Sequence, residues 1–387
     1  MQLQILGYLA WLLLAGSAIG CLYLWYACNA VAKFARQPMP RSALQPPVSV
    51  LKPLRGEDPA LAENLRSFLR QDYPTLQLVC GVADAGDPAA VVVRQLIGEF
   101  PHADIALVVD ATQRGTNLKV ANLRNMLPKA KHDLLVLADS DMRVGPDYLA
   151  AVTAPLVADS AVGLVTCLYR ASPAGGIWSD LASLHINHGF LPQAVVGESL
   201  GQGAGCFGAT MAFDRATLAA AGGFEALADM LADDHALGQA VRRLGKRVAL
   251  SPYLVDDIVA EHSFLGLFRH ELRWARTIRL VAAAGFAGSV VTYPVPLALL
   301  ALGLAAEPRA AAAMLVLALI MRGVSGRRID RALRVKAAPF WLLPVRDLLS
   351  FGVFVASFLG RSVAWRDRRF RIGPEGQLII VSEKSRN

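Results

Sequence analysis

The chain has 387 residues, enough for one sizeable globular domain and a membrane-embedded part. Hydrophobic residues reach 54% and charged residues only 18%, with a mean hydropathy of +0.40, which excludes both an average soluble enzyme and a pure membrane bundle. The net charge of +8 calls for an anionic partner, and without a basic face on a reader module that partner is not nucleic acid.

Leu3 to Ala32 carries no charge and is long enough to cross a bilayer, so a transmembrane anchor is predicted over residues 1–32. The first side-chain charges, Lys33, Arg36 and Arg41, follow the apolar run, whereas a cleaved signal peptide would carry charge before it. By the positive-inside rule the N-terminus is outside and the next domain cytoplasmic. Pro38, Pro40, Pro46 and Pro47 make residues 33–47 a stiff, basic linker. Cys21, Cys28, Cys80, Cys167 and Cys206 show no paired spacing, which suggests a reducing compartment and small buried side chains.

From residue 48 to 279 short apolar runs alternate with amphipathic segments. Val48–Leu51, Leu76–Val82, Ile105–Val109 and Leu134–Ala138 read as buried strands. Asp58 with Pro59 opens a helix over Ala60–Arg70, and Asp87 with Pro88 opens another over Ala89–Phe100. Gly145 and Pro146 play a similar part after the fourth strand. The alternation predicts an α/β, doubly wound, mostly parallel sheet, with ligands beyond the carboxyl ends of its strands.

Asp139 and Asp141 stand just past one such end. Two carboxylates one residue apart share a hard divalent ion, Mg²⁺ or Mn²⁺, which in turn holds a diphosphate. Asp84 ends an earlier strand in the same fashion; it either accepts from a nucleobase or ribose or caps the loop before Asp87. Lys119 enters a helix from the polar loop Gly115–Asn122, where it meets a phosphate or only solvent. Asp233 and Asp234 open a later helix, either as caps or with Asp234 as general base for an acceptor hydroxyl. His270, Arg273 and Trp274 precede the next apolar run: Arg273 suits a leaving diphosphate and Trp274 a sugar or lipid, and the same pair also suits a membrane interface.

Residues 280–321 are predicted to form a transmembrane hairpin turning near Glu307 and Pro308, its second arm short for a full span. A basic cytoplasmic loop over 322–338 follows, with Arg322, Arg327, Arg328, Arg331, Arg334 and Lys336. Residues 339–360 contain Pro344, Arg346 and Asp347 and read as re-entrant or interfacial helices. The tail, 361–387, is again basic, with Arg361, Arg366, Arg368, Arg369 and Arg371. Basic runs beside apolar segments make anionic lipid headgroups the expected partner.

Together these motifs resemble the ceramide glucosyltransferase-like branch of the inverting glycosyltransferases with the A-type fold, over about Val48 to Arg279 plus the anchor and apolar tail. Lys52 to Gly56 is similar to the family's opening donor loop, which gives Lys52 and Pro53 donor roles. Asp84 resembles its first acid, Asp139 its second, metal-side acid, and Asp234 the third, acting as base. Arg273 and Trp274 resemble the end of its Gln/Arg-x-x-Arg-Trp signature, although His270 stands where that signature has Gln or Arg. His270, Trp274 and Asp233 fall on the acceptor or diphosphate side. Gly163–Arg170, Cys206–Ala212 and His270–Arg279 are similar to the bacterial hopanoid-biosynthesis glycosyltransferases. That resemblance implies transfer of N-acetylglucosamine from UDP-GlcNAc to a membrane lipid, bacteriohopanetetrol, by a multi-pass protein of the bacterial inner (cytoplasmic) membrane with its catalytic domain in the cytoplasm.

Glucosyl transfer from UDP-glucose to ceramide is the alternative within enzymes. A processive polysaccharide synthase fits less well, because His270 breaks its motif and the membrane part is small. A non-catalytic membrane-bound nucleotide-sugar sensor sits poorly with acids at 84, 139, 141 and 234, and a small transporter has only Pro344–Asp347 to suggest a path.

Overall fold

The computed structural model describes residues 2–56, 58, 60–201, 205–336, 339–360, 362–365, 368–373 and 377–383. The chain opens with α1 (Gln2–Phe34), β1 (Val48–Pro53), α2 (Leu61–Leu69), β2 (Leu76–Val82), α3 (Pro88–Glu99), β3 (Asp104–Val109), α4 (Leu118–Met126) and β4 (Leu134–Leu137). It continues through β5 (Met142–Arg143), α5 (Tyr148–Ala158), β6 (Val162–Pro173), α6 (Ile177–His185), α7 (Leu191–Ser199), β7 (Met211–Asp214), α8 (Arg215–Ala220), α9 (Asp233–Arg243) and β8 (Arg247–Val259). Then come α10 (Phe264–Val281), α11 (Ala283–Gly288), α12 (Pro294–Gly303), α13 (Pro308–Leu333), α14 (Leu342–Ser357) and the strands β9 (Ser362–Trp365), β10 (Arg368–Ile372) and β11 (Leu378–Glu383).

Eight strands form one sheet in the order β3-β2-β1-β4-β7-β6-β8-β5. β3, β2, β1 and β4 are mutually parallel, as are β6 and β8. The sheet is therefore mostly parallel, as the alternation predicts. β7 departs from that pattern: it runs antiparallel between β4 and β6, and β5 runs antiparallel to β8. Central strands such as β4 are buried along their whole length, which is why they read as unbroken apolar runs. Helices cover both faces. Leu65, Phe68, Val93, Tyr148 and Val152 pack on one, and Val120, Leu123, Leu218, Leu237 and Val241 on the other.

Cap chemistry sets the helix starts. Asp87 accepts from Ala89 N at 2.9 Å with Pro88 in the first turn, as expected, and also from Gly56 N at 2.9 Å, which ties the loop after β1 to α3. Asp58 accepts from Ala60 N at 2.9 Å, while Pro59 lies outside the described residues. Asp147, next to Pro146, makes no side-chain cap for α5. All five cysteines are free and buried.

Among the described residues two helices are long and apolar enough to cross a membrane, α1 and α13, or up to three spans if the pair bent by 68° at Tyr293 counts as one. With 33 residues α1 is about 50 Å long. It packs on α12 and α13; Ser17 Oγ donates to Pro294 O at 2.9 Å, and a side chain at Gly20 would collide with Val291 O. The C-terminal half differs from the sequence expectation. α13 has 26 residues and continues as helix through Arg322, Arg327, Arg328 and Arg331, where a short arm and a basic loop were expected. It continues because several of these charges meet protein rather than lipid. Arg322 is buried against Asp347 at 2.8 Å, and Arg328 donates to Asn29 Oδ1 at 2.8 Å and lies over the Trp25 ring. Residues 342–357 form one helix, α14, with Arg346 and Asp347 buried. Arg361 and Arg366 lie outside the described residues.

Candidate active site

The register of the parallel strands sets the site. Lys52 pairs with Cys80 and Leu51 with Leu137, so β1, β2 and β4 end side by side and hand Pro53, Asp84 and Asp139–Asp141 to one edge. These residues line a cavity of about 2420 Å³ together with Lys119, Gly208, Asp233, Asp234, Asp257, His270, Arg273 and Trp274. The crevice beyond the carboxyl ends is where such sheets bind ligands.

Asn117 caps α4, accepting from Lys119 N at 3.0 Å and Val120 N at 3.2 Å. Its amide donates to Met230 O at 2.8 Å and Asp233 Oδ1 at 3.3 Å, which clamps α4 to the start of α9. Lys119 then reaches inward, its Nζ 2.6 Å from Asp139 Oδ1 and 3.6 Å from Asp233 Oδ2. Burial by itself would lower its pKa, but Asp139, Asp233 and Asp234 hold it above the usual lysine range. It is a fixed cation among acids, not a solvated surface lysine.

Asp234 Oδ2 accepts from Gly208 N at 3.0 Å and Oδ1 from His235 N at 2.7 Å. Burial first, then the neighbouring Asp233, pushes its pKa up to about 6, against the pull of Lys119. A Cβ at Gly208 would stand 3.0 Å from Lys119 Nζ, 3.1 Å from Asp139 Oδ2 and 3.7 Å from Asp234 Oδ2. Three functional groups thus converge on one bare Cα.

Asp141 is likewise raised to about 6, by burial and then by Asp139, and its Oδ1 is buried without a hydrogen-bond partner. Asp257, opposite Met142 on β8, is 8% exposed and faces the same cavity, with no side-chain hydrogen bond among the described residues. Burial, then Asp141 and Asp139, drives its pKa well above the usual carboxylate range. Carboxylates crowded together, with the buried Asp141 Oδ1 unmet, make Asp139 and Asp141 fit a hard divalent ion. Among the described residues no group of three or more His, Cys, Asp or Glu side chains is gathered for one ion. Such a site leaves places for diphosphate oxygens and water, as Mg²⁺ prefers.

Not every expected residue reaches the cavity. Lys52 is fully buried behind it, where its Nζ donates to Asp139 O at 2.5 Å and stands 4.0 Å from the centroid of the Phe68 ring. Burial lowers its pKa to about 8. Its contact is with the loop that carries Asp139, not with the cavity. Asp84 sits exposed at the rim, accepting from Gly86 N at 2.9 Å.

α10 brings the remaining motif. Ser263 caps it by accepting from Gly266 N at 3.1 Å, and the i, i+3, i+4 spacing sends His270, Arg273 and Trp274 to one side. His270 Nδ1 lies 2.9 Å from Glu261 Oε1, and its ring meets Trp274 edge-on at 4.4 Å. Glu271 takes Arg346 of α14 in a bidentate pair, both contacts 2.7 Å. The C-terminal sheet closes on the loop before α9: Phe370 is buried with Leu231 and Leu378 and lines the cavity, and Leu378 N donates to Asp229 O at 2.7 Å.

Sequence reasoning did not single out Asp257 or Gly208. Asp256 and Asp257 do interrupt the apolar run Leu254–Val259, and that interruption was the available signal. Gly208 carries none, because its importance lies only in what crowds around it.

The glycosyl transferase family 21 profile matches residues 12–378. The chain belongs to this family. Family 21 membership agrees with its relatives: ceramide glucosyltransferase 1 of Caenorhabditis elegans is 25% identical over 231 residues, 60% of this chain and 49% of that protein. Ceramide glucosyltransferase of Komagataella phaffii (strain GS115) is 32% identical over 101 residues, 25% of this chain and 20% of that protein. The chain thus spans about half the length, or less, of these curated relatives. A mannosyltransferase from Pyrobaculum calidifontis, solved in complex with GDP-Man and Mn²⁺, superposes with a TM-score of 0.55 at 21% identity, over 91% of this chain and 99% of that one. That likeness is one of fold, and the A-type fold expected from the sequence is present in this family 21 chain.

Proposed function

We propose that this chain is an inverting lipid glycosyltransferase that moves a sugar from a UDP donor to a hydroxyl of a membrane lipid. One observation carries the reading. A single cavity is lined both by Asp139, Asp141 and Asp234 and by Tyr23 of α1, Tyr293 just before α12, and Phe354 of α14. Acids suited to a nucleotide diphosphate and residues of the apolar helices thus line the same cavity, which supports this reading.

Pro53 and Asp84 flank the nucleoside, and Asp139 and Lys119 the diphosphate. Asp234 keeps lone pairs for the acceptor hydroxyl, and with a pKa of about 6 it is ionised near neutrality yet basic enough to take a proton. As it takes the proton, the acceptor oxygen attacks the anomeric carbon and the bond from that carbon to the diphosphate breaks on the far side. One displacement inverts the centre. Arg273 and Lys119 place positive charge beside the departing diphosphate. When bound at Asp139 and Asp141, Mg²⁺ or Mn²⁺ supplies Lewis-acid neutralisation of that group. His270 and Trp274 wall the acceptor side, and the apolar helices present the lipid so that orientation replaces diffusion. Arginines on α13 that remain exposed face anionic headgroups.

The finer reading is UDP-GlcNAc and bacteriohopanetetrol, supported by the Cys206–Ala212 and His270–Arg279 stretches, which contribute walls of the cavity. Ceramide with UDP-glucose is the second reading, supported by relatives that bear that name. An assay of detergent-purified protein with each donor and each lipid, with Mn²⁺ or EDTA, separates them. Lipid-linked GlcNAc lost in EDTA supports the first, glucosylceramide the second, and no product with any pair overturns the proposal.

A further inference from the structure

Beside the large cavity lies a second, much smaller chamber of about 30 Å³, room for a water or a hydroxyl group. Tyr23 of α1, His188, Arg322 of α13, and Arg346 and Asp347 of α14 wall it. His188 sits in a π-helical turn, Ile186–Phe190, between α6 and α7, a distortion often found where a helix serves a site.

The ionic groups around the chamber are paired. His188 Nε2 lies 2.8 Å from Asp330 Oδ1, Arg322 Nε and Nη2 each 2.8 Å from Asp347 Oδ1, and Arg346 holds Glu271. Among the described residues, three atoms of this lining are buried without a hydrogen bond: Tyr23 Oη, His188 Nδ1 and Arg322 Nη1. They belong to three separate elements, and all three residues line the same chamber. Buried polar atoms in native proteins are nearly always satisfied, so this coincidence points to a missing partner.

The partner's chemistry follows from the orphans. Arg322 Nη1 is a donor. With Nε2–H given to Asp330, His188 offers Nδ1 as an acceptor, and Tyr23 Oη serves as either. A group that both accepts and donates fits, and the space admits one oxygen. An ionised phosphate or carboxylate offers acceptors but no donor. Tyr23, His185, Gln193, Thr292, Tyr293 and Ser350 line both this chamber and the large cavity, so a ligand in the cavity reaches the chamber through a shared wall.

We infer that the chamber takes a second, non-reacting hydroxyl of the acceptor lipid, fixing which hydroxyl is left for Asp234. This rests on the lipid-acceptor reading above. It makes the protein a reader of polyol or diol lipids over mono-alcohols.

The test uses matched acceptors: bacteriohopanetetrol against the hopanoid bearing only its terminal hydroxyl, and ceramide against 3-deoxyceramide. The quantity read is the ratio of kcat/KM, polyhydroxylated over mono-hydroxylated. Wild type is expected to favour the former, and Tyr23→Phe and His188→Gln, which keeps a donor toward Asp330, to cut that preference by roughly tenfold. A merely structural effect lowers both rates and leaves the ratio in place, and that outcome overturns the inference. Loss of the general reading looks different: wild type then transfers to none of the four lipids. In that event lipid co-purifying with wild type and with Tyr23→Phe is compared by mass spectrometry. Hydroxylated lipid retained only by wild type upholds the chamber's role, and equal retention rejects it.

Discussion

Lys119 Nζ stands 2.6 Å from Asp139 Oδ1, joining the first turn of α4 to the loop after β4 in the wall of the cavity. The pair lies between two acid groups, with Asp233 and Asp234 on one side and Asp141 and Asp257 on the other. Lys119→Gln removes the cation paired with Asp139 and facing Asp233 and Asp234. Its expected effect is a fall of about a hundredfold in kcat/KM for the donor. The acid limb of the pH profile also moves upward, since Lys119 is what lowers Asp234. A limb that stays in place would show that the lysine acts on the donor alone.

As the proposed base, Asp234 is expected to set that limb in wild type. The carboxylate must be ionised to accept a proton, and burial and Asp233 place its pKa at about 6. Activity is therefore expected to hold above pH 6 and fall as pH drops through that value. Asp234→Asn should flatten the limb and lower kcat by about 10²–10⁴ without changing the melting temperature. Initial rates over pH 5 to 8, beside a thermal melt of each protein, check both halves.

Metal binding should carry a pH signature of its own. Asp141, raised to about 6 in the absence of a cation, must lose its proton to bind one, so Mn²⁺ affinity rises as pH rises through 6. Asp257→Asn should weaken Mn²⁺ by roughly tenfold through its place beside the ligands, and Asp141→Asn by more. Free Mn²⁺ measured by electron paramagnetic resonance, with no donor or acceptor present, gives the answer independently of turnover.

At Gly208 the same convergence sets a steric limit. An alanine Cβ would press on Lys119, Asp139 and Asp234 at once, and two of those side chains are held by the ion pair. Displacement by a fraction of an ångström should cost about ten- to a hundredfold in kcat/KM while the fold remains intact. Steady-state kinetics of Gly208→Ala at saturating metal, with circular dichroism as the control, decide it.

What the sequence made legible depended on whether local chemistry or distant packing decided the outcome. β2 begins and ends at the residues expected, and Asp87 caps α3 as its spacing to Pro88 implies, because both are settled within a few residues. Asp139, Asp141 and Asp234 were readable for a related reason: acids after apolar strands or at helix starts have few places to go. β7 was not, since its antiparallel insertion between β4 and β6 is a decision of the whole sheet. Charge likewise misled at Arg322. It reads as a lipid-facing residue until Asp347, distant in sequence, is brought to 2.8 Å. Lys52 lies in a donor-loop motif, yet burial turns it toward the back of Asp139.

Glu271 and Arg346 supply the last prediction. They are 3% and 1% exposed, joined by two contacts of 2.7 Å, and they pin α10, which carries His270, Arg273 and Trp274, to α14. A buried pair contributes little relative to an apolar replacement, but removing one partner strands a charge in low dielectric. Glu271→Gln should therefore destabilise the protein by about 3–5 kcal/mol, or cause loss of folded material in detergent. Glu271→Leu combined with Arg346→Met should recover much of that, less the cost at Leu181 O and Ser350 Oγ, which Arg346 also serves. Chemical denaturation of the single and double variants separates the two contributions. If the pair only adds stability, the double variant also regains activity. If it sets the angle of α10, the double variant is stable yet slow, because Arg273 and Trp274 no longer meet the cavity where the diphosphate and acceptor lie.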